Sequence, residues 1–288
     1  MPLTAGARFR AFLMGRHLVR APGAYDGITA RLVAQAGFQA VYMTGAGVSA
    51  ARGFPDYGLL TMGEMADAAG VIVRAAGIPL IADADTGYGN ELNVTRTVQE
   101  YEGRGVAALH IEDQLSPKRC GHLAGKELVD VDEFVAKIRA AVAARRDPDF
   151  VVIARTDAIA VLGFDAAIAR ANAALSAGAD MAFVEAPRSA EEMAAIPGRV
   201  SGPCLINLVP GGRTPMAAPE ELARLGFRVA IYPGACLAPV VRTVDAELAA
   251  LAGVPPKDPV GGPAAFFARL GSGEWDAIRR GERGAGNG

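Results

Sequence analysis

The stretch from Ala107 to His122, AALHIEDQLSPKRCGH, changes character halfway and decides the fold. Its first half is a short apolar run that ends on charged residues. The whole segment brings together carboxylates, a thiol, two imidazoles and two permanent cations: His110, Glu112, Asp113, Lys118, Arg119, Cys120 and His122. Such crowding is costly in a folded core unless the groups are used. We therefore predict a strand whose end forms the edge of an active site.

Seven other short apolar runs resemble this strand, and helical segments separate them. Nearly continuous apolar runs indicate strands that are buried on both faces, as in a parallel sheet. The predicted strands are Leu18–Ala21, Ala40–Thr44, Pro79–Asp83, Ala107–Glu112, Phe150–Arg155, Met181–Glu185, Cys204–Asn207 and Arg228–Tyr232. Eight such units predict an α/β protein with a closed (β/α)8 TIM barrel, and an open doubly wound sheet is the alternative.

Helix start signals lie between the strands. Thr61, Asp130 and Ser189 each precede a glutamate by three residues, which is the capping-box pattern or its Asp variant. Asp26 and Asn93 are also candidate N-caps. These positions predict helices that begin a few residues after each strand.

The C-terminal part of the chain has no place in the eight-fold pattern. We predict one domain over residues 1–288, with an extension over about 251–288 that begins irregularly because it is rich in proline. Ala264–Leu270 and Glu274–Arg280 are predicted short helices that pack on the barrel or on a neighbouring subunit. The final GAGNG is expected to be disordered.

Composition narrows the class of protein. The formal charge of the 288 residues is -2, which argues against nucleic acid or an anionic membrane as the main partner. No apolar stretch approaches the ~20 residues that a membrane-spanning helix needs. The odd set of Cys120, Cys204 and Cys236 does not resemble a disulfide framework, so a cytoplasmic location is expected.

Acidic residues at the strand ends predict a metal site. Asp83 and Asp85 are two residues apart and share a face if the strand continues through them. Glu112 ends the next strand, and Asp56 lies in the loop after the second strand. Oxygen ligands of this kind suit Mg²⁺, or else Mn²⁺. The alternative is that these acids form ion pairs with Lys118, Arg119 or Arg155.

Cys120 is the candidate catalytic acid. Its basic neighbours in the sequence, Lys118, Arg119 and His122, are expected to stabilise the thiolate and to let the residue act as an acid near neutral pH. Arg155, at a strand end, is a candidate carboxylate clamp, and its alternative role is an ion pair with Asp157 or Glu185.

Two long motifs resemble the isocitrate lyase/phosphoenolpyruvate mutase superfamily. They are Asp83-Ala-Asp-Thr-Gly-Tyr-Gly-Asn90 and Lys118-Arg-Cys-Gly-His122, and the likeness covers roughly residues 10–250. The resemblance implies a barrel whose eighth helix is exchanged between the subunits of a homodimer or homotetramer. It also implies Mg²⁺ bound, partly through water, by Asp83, Asp85 and Glu112, with Asp56 nearby. In the lyase branch, the Cys-Gly-His loop is a mobile gate that carries the acid.

The resemblance further implies carbon–carbon cleavage of a 2-hydroxy dicarboxylate to a 2-oxo acid and a second carboxylic acid. Tyr42 would be the base and Cys120 the acid, with His122 and Arg155 stabilising charge. We assign substrate binding to the strand ends and the gate: Thr44, Gly45, Ala46, His110, Gly121, Arg155, Glu185 and Asn207. The alternatives are a phosphorylmutase of the carboxyvinyl-carboxyphosphonate or phosphonopyruvate type, an oxaloacetate decarboxylase, and a barrel that has lost catalysis and serves as a binding subunit.

The residues after the gate bear on the substrate. Methylisocitrate lyases carry an arginine-containing stretch there, which helps to hold a third carboxylate, whereas this chain continues with Leu123-Ala124-Gly125-Lys126. The difference favours a dicarboxylate substrate over a larger tricarboxylate. An example is 2,3-dimethylmalate, which would give pyruvate and propionate. Because Lys126 could still bind a distal carboxylate, 2-methylisocitrate stays open.

Overall fold

The structure is a computed structural model that describes residues 3–15, 17–255 and 262–282. The described residues form eight parallel strands that close into a barrel in sequence order, and β8 pairs with β1. The strands are β1 Val19–Ala24, β2 Val41–Met43, β3 Leu80–Asp83, β4 Ala108–Glu112, β5 Val151–Thr156, β6 Met181–Val184, β7 Cys204–Asn207 and β8 Val229–Tyr232. The TIM barrel is confirmed, and the open sheet is ruled out.

The first strand had the least support in the sequence, yet it closes the barrel. β1 runs three residues further than predicted, to Ala24, and pairs with β8 from Val19↔Val229 to Pro22↔Tyr232. The other predicted strands lie within one residue of the observed bounds at each end. Their continuous burial fits a sheet that is covered on both faces.

Helices surround the barrel. Within the described residues they are α1 Ala5–Met14, α2 Gly27–Gln35, α3 Gly45–Ala51, α4 Met62–Ala76, α5 Glu91–Gly103, α6 Val131–Ala144, α7 Phe164–Ser176, α8 Ala190–Arg199, α9 Pro219–Leu225, α10 Leu237–Ala252, α11 Pro263–Ala268 and α12 Ser272–Arg279, with a 3-10 turn at Ala158–Ala160. None of them, over the ranges described, is long and apolar enough to cross a bilayer.

The predicted N-caps are largely confirmed. Asp26 and Thr61 form capping boxes at α2 and α4, and the Ser189 hydroxyl accepts a hydrogen bond from the Glu192 N–H at α8. α6 begins after Asp130 as predicted, but the Asp130 side chain makes no capping hydrogen bond there.

Asn93 was the wrong cap for α5. The helix begins at Glu91, three residues earlier than an Asn93 cap would place it, and Asn90 caps it by accepting a hydrogen bond from the Leu92 N–H at 3.1 Å. Asn93 lies in the first turn, and its side chain sits so close to Gly89 that a Cβ there would be 2.2 Å from Asn93 Oδ1. Asn90, which the sequence analysis did not propose as a cap, directly follows the tight turn at Gly89.

α1 closes the N-terminal end of the barrel. Phe9 is fully buried in the cluster that fills the barrel interior, together with Val19, Ile81 and Met181. Arg10 fixes the helix by donating to the backbone carbonyl of Asp149 and to the Asp180 carboxylate. With this end plugged, the opposite end is left for a site, as is general for such barrels.

The C-terminal extension forms α11 and α12, close to the two predicted helices. The final GAGNG lies outside the described residues. α10, where the eighth barrel helix would come, behaves differently: of its sixteen residues, only Ala249 is buried against the described chain.

Candidate active site

The C-terminal ends of the strands surround a cavity of about 650 Å³. Most of the predicted site residues line it: Tyr42, Thr44, Ala46, Asp56, Asp83, Cys120, Gly121, His122, Arg155 and Asn207. The others are buried behind this wall: Gly45, Asp85, His110, Glu112 and Glu185. The structure therefore gathers residues from six strands and from the Cys-Gly-His loop around one space.

The ammonium group of Lys118 lies between two of the predicted metal ligands. It contacts the Asp56 carboxylate directly and lies 3.1 Å from Asp85 Oδ1. Burial lowers the pKa of Lys118, but the surrounding carboxylates outweigh burial and raise it well above its ordinary value. Burial also raises the pKa of Asp85 to about 6. The ion-pair alternative is thus what the structure contains at Asp56 and Asp85.

Arg155 and Glu112 form a second buried pair. Arg155 Nη1 lies 3.1 Å from Glu112 Oε2, while its Nε and Nη2 donate to Asp157 at 2.9 and 3.2 Å. Among the described residues, neither Glu112 oxygen has a hydrogen-bond partner, and burial raises the Glu112 pKa well above its usual range. Arg155 therefore takes the alternative role of an ion pair with Asp157, and it still lines the cavity.

Asp83 is the most firmly held of the acids. One of its oxygens, Oδ1, accepts from the Asp85 N–H at 3.0 Å, and the other, Oδ2, accepts from the Gly45 N–H at 3.3 Å. A Cβ on Gly45 would be 2.5 Å from Asp83 Oδ2, so this contact requires glycine. Gly45, predicted to bind substrate, donates its backbone N–H to Asp83 instead.

A divalent cation fits these acids if water molecules bridge it to most of them. In the described parts of the chain, no three His, Cys, Asp or Glu side chains are close enough together to hold an ion by themselves. The donors are all oxygens, and the buried Glu112 carboxylate lacks hydrogen bonds. Mg²⁺ retains several waters when it binds to proteins. The donor set therefore fits a largely water-mediated Mg²⁺ site.

Tyr42, the predicted base, contacts His110. Its hydroxyl lies 2.9 Å from His110 Nε2 and 3.5 Å from Asp83 Oδ2. Burial, followed by the Asp83 charge, raises the pKa of Tyr42 well above its ordinary value. Burial lowers the pKa of His110 to about 4, so this ring is neutral. A Tyr42 phenolate would need a nearby cation, and its role as a base stays a prediction.

The expected activation of the Cys120 thiolate is wrong. Burial, then the Asp56 carboxylate, raises the pKa of Cys120 to about 12. The cations near it in sequence are occupied in space, since Lys118 pairs with Asp56, and Arg119 donates to Asp276 at 2.8 Å. The thiol is thus protonated at neutral pH, which is the form that a proton donor needs.

The Cys-Gly-His loop lies closed on the barrel. A Cβ on Gly121 would be 2.5 Å from Arg155 Nη2 and 2.8 Å from Glu185 Cγ, so glycine permits the close approach. His122 Nδ1 accepts from the Arg213 N–H at 3.0 Å. A neutral His122 ring therefore carries its proton on Nε2, 3.2 Å from Glu185 Oε1. Asn207 Nδ2 also donates to Glu185, which fixes that carboxylate under the loop.

Lys126 does not face a substrate. Its ammonium donates to Asp157 Oδ1 at 2.8 Å and to the carbonyl of Gly121. The residue is buried, and it ties the base of the loop to the barrel. The suggestion that Lys126 binds a distal carboxylate is therefore wrong for this closed conformation.

The outer half of the cavity was missed by the sequence analysis. Apolar residues from the β7 loop and from helices α10 and α11 form most of its lining, which includes Val209, Pro210, Leu237, Val241 and Phe266, and α10 adds Arg242 and Asp245. The strand-end rule does not reach these positions. The consecutive Phe266 and Phe267, in a part of the chain rich in glycine and proline, were the available signal.

Fold and site together define a class of protein: an α/β-barrel enzyme with an acidic, oxygen-rich centre and a thiol-bearing loop over it. The family described as phosphoenolpyruvate phosphomutase matches residues 9–252. The chain belongs to the phosphoenolpyruvate mutase/isocitrate lyase superfamily, and the resemblance seen in its motifs is confirmed.

Several similar proteins in this superfamily are named as lyases, and others as a phosphorylmutase or a hydrolase. The chain is 50% identical to 2,3-dimethylmalate lyase of Eubacterium barkeri over 82% of each protein. It is 45% identical to a probable 2-methylisocitrate lyase of Corynebacterium glutamicum, over 84% of this chain and 79% of that one. A solved oxaloacetate acetylhydrolase with 3,3-difluorooxalacetate matches with a TM-score of 0.85 and 40% identity over 97% of each chain.

Proposed function

We propose that the protein is a Mg²⁺-dependent lyase that cleaves the C2–C3 bond of an alkylated malate such as 2,3-dimethylmalate. The observation that carries this proposal is the shared cavity: the Cys120 thiol, the Asp83 carboxylate and the Arg155 guanidinium line the same space under a closed loop. A phosphorylmutase has no need of a proton donor at that position.

The reaction needs one proton removed and one delivered. Loss of the C2 hydroxyl proton allows a C=O bond to form as the C2–C3 bond breaks, which gives pyruvate and leaves the electron pair on C3 of the other fragment. Transfer of the Cys120 proton to C3 then gives propionate. A thiol with a pKa of about 12 keeps its proton until a strongly basic carbanion forms beside it.

The chain supplies the surroundings for this charge transfer. His122, its ring oriented by Glu185 and the Arg213 N–H, presents a side chain to the cavity beside Cys120. Arg155 is held by Asp157 and offers a fixed positive charge. The closed loop limits entry of water, and electrostatic stabilisation is stronger in such a site.

Asp83, Asp85, Glu112 and Asp56 are the residues that would hold the cation. Bound there, Mg²⁺ would polarise the substrate hydroxyl and the adjacent carboxylate and so favour loss of the hydroxyl proton. We expect EDTA to abolish activity and Mg²⁺ or Mn²⁺ to restore it. Full turnover after exhaustive chelation would refute the metal requirement.

The proposed substrate is a dicarboxylate because the buried cations near the cavity are already paired. Lys118 pairs with Asp56 and Asp85, Lys126 pairs with Asp157, and Arg155 pairs with Glu112 and Asp157. The outer wall is largely apolar; its charged members are Arg242 and Asp245 of α10, so Arg242 is the cation that a third carboxylate would have to use. Methyl substituents suit the apolar part of this wall better than a third carboxylate does.

A substrate panel tests this assignment. The Mg²⁺-loaded protein would be offered 2,3-dimethylmalate, 2-methylisocitrate, oxaloacetate and phosphonopyruvate, with 2-oxo acids followed by a coupled dehydrogenase and carbon–phosphorus products by ³¹P NMR. We expect the highest kcat/KM with 2,3-dimethylmalate. A preference for methylisocitrate would correct the substrate, and turnover of phosphonopyruvate or oxaloacetate alone would overturn carbon–carbon lyase activity of this type.

We also propose that the working form is a homo-oligomer in which α10 packs on a partner barrel. α10 exposes an apolar stripe of Val240, Val244, Leu248 and Leu251, spaced three or four residues apart. α2, the first barrel helix, exposes Ile28 and Leu32. These two apolar surfaces suit each other in a dimer that exchanges the helix. Light scattering tests the proposal, since a monomer at micromolar concentration would contradict it.

The free state of Cys120, Cys204 and Cys236 in the described structure supports a reducing compartment, and we place the enzyme in the cytoplasm. Fractionation of cells that produce it tests this location.

A further inference from the structure

The loop from Asp83 to Tyr88 carries both predicted ligand aspartates and contains two residues in a costly backbone conformation. Asp85 has a φ of 45° and Tyr88 a φ of 64°, which is the left-handed region that residues other than glycine avoid. Such conformations persist only where surrounding contacts fix them. The question is which contacts do so here.

One buried phenol joins the two ends of this loop. Tyr101, on α5, is 0% exposed, and its hydroxyl donates to the backbone carbonyl of Asp83 at 3.1 Å. The Tyr88 hydroxyl lies 3.1 Å from the Tyr101 hydroxyl. Because the Tyr101 proton is used on Asp83, Tyr88 is the donor of this second bond. The Tyr101 oxygen therefore links Asp83 to Tyr88, and the strained residue Asp85 lies between these two residues.

The same loop is coupled to the third predicted ligand. The backbone N–H of Glu112 donates to the carbonyl of Asp85 at 2.9 Å. A movement of the loop would therefore displace Asp85 and Glu112 relative to each other. Tyr101 itself neither lines the cavity nor touches any of the three carboxylates in the described contacts.

We propose that Tyr101 is a positioning residue for the metal site: its hydroxyl holds the loop so that the Asp83, Asp85 and Glu112 carboxylates keep the spacing at which they bind one divalent cation, largely through water. This inference rests on the proposed use of Mg²⁺, and it adds a residue on a barrel helix that acts only through the backbone of its ligands. Removal of the Tyr101 hydroxyl therefore weakens binding of the cation without altering the side chains that contact the substrate.

The test compares Mn²⁺ affinity, by EPR of the free ion, in the full-length wild type, Tyr101→Phe and Tyr88→Phe. Tyr101→Phe keeps the buried ring and leaves the Asp83 carbonyl without its donor. We expect its Kd for Mn²⁺ to rise about tenfold, the effect of one lost buried hydrogen bond. Tyr88→Phe keeps the Tyr101–Asp83 bond, and we expect a rise of about two- to threefold.

Four results decide the matter. A raised Kd with kcat near that of the wild type at saturating Mg²⁺ supports positioning. An unchanged Kd with a lower Tm would show that the hydroxyl is merely structural and would overturn the inference; if Tyr101→Phe fails to fold, an unchanged Kd in Tyr88→Phe would do the same. A wild type that does not bind Mn²⁺ would instead overturn the metal proposal itself, and this inference with it.

Discussion

The two ends of the barrel both carry buried or half-buried charges, but they satisfy them differently. At the N-terminal end, the Asp180 carboxylate receives Arg10 at 2.7 Å, Arg145 at 2.8 Å and the Val152 N–H at 2.8 Å. These donors tie α1, the end of α6 and β5 to the loop just before β6. This cluster is saturated with hydrogen bonds, and it serves stability.

At the C-terminal end, the charges are more deeply buried and less well satisfied. Glu112 lacks hydrogen bonds among the described residues, and burial raises the pKa values of Glu112 and Asp85. A protein does not gain stability from carboxyl groups that it makes difficult to ionise. The comparison indicates that the charges at the N-terminal end of the barrel stabilise the fold. The C-terminal end keeps polar groups without partners, and these are available to a ligand.

Replacing the cavity thiol is expected to have the largest effect. Cys120→Ser should lower kcat about a thousandfold, because the alcohol is a much weaker acid, and should change Tm little. Coupled-assay kinetics and thermal unfolding measure both. Cys204→Ser, which changes a buried cysteine in β7, is the matched control and should retain kcat. Near-normal turnover of Cys120→Ser would remove the thiol from the mechanism.

The reactivity of Cys120 sharpens the same contrast. Because the pKa of Cys120 is raised from 9.0 to about 12, a much smaller fraction of it is thiolate between pH 7 and pH 8 than for a free cysteine. After allowing for the greater nucleophilicity of a more basic thiolate, alkylation should be about fortyfold slower than for a free thiol. The rate should rise as pH increases toward 12. Iodoacetamide labelling followed by mass spectrometry measures it at each cysteine. Fast labelling of Cys120 at pH 7 would contradict the buried, protonated thiol.

Lys126 tests whether the closed loop matters. Lys126→Met removes the donor to the Gly121 carbonyl and to Asp157, so we expect kcat to fall about tenfold as the closed loop loses a charged hydrogen bond. Lys137→Met is the control, since Lys137 is also buried but pairs with Glu133 on α6. Equal losses of activity in the two variants would mean that burial, rather than the loop, explains the effect.

A substitution at the N-terminal end of the barrel should have the smallest effect on activity. Arg10→Met removes hydrogen bonds to Asp180 and to the carbonyls of Asp149 and Phe150. We expect a loss of about 2 kcal/mol in the free energy of unfolding and a Tm lower by about 4 °C. At 25 °C, kcat should stay within twofold of the wild type. A large fall in kcat with an unchanged Tm would break the division between the two ends.

Local sequence was sufficient for the architecture. The eight apolar runs, the capping box at Thr61 and the acidic strand ends are local patterns, so they could be found without knowing the neighbours in space. The short β1 was also found, although its end at Ala24 depends on pairing with β2 and β8. The motif around Asp83 and Asp85 placed the chain in its superfamily for the same reason.

What the sequence by itself determined was the barrel, the superfamily and the set of polar groups at one end. Tertiary structure alone decided how those groups pair: Lys118 with Asp56 and Asp85, Lys126 with Asp157, and Tyr101 with the Asp83 carbonyl. It also reversed the expected pKa shift of Cys120. The physical reason is that ion pairing and desolvation depend on distances to residues far away in the chain, whereas strand and cap patterns depend on residues nearby.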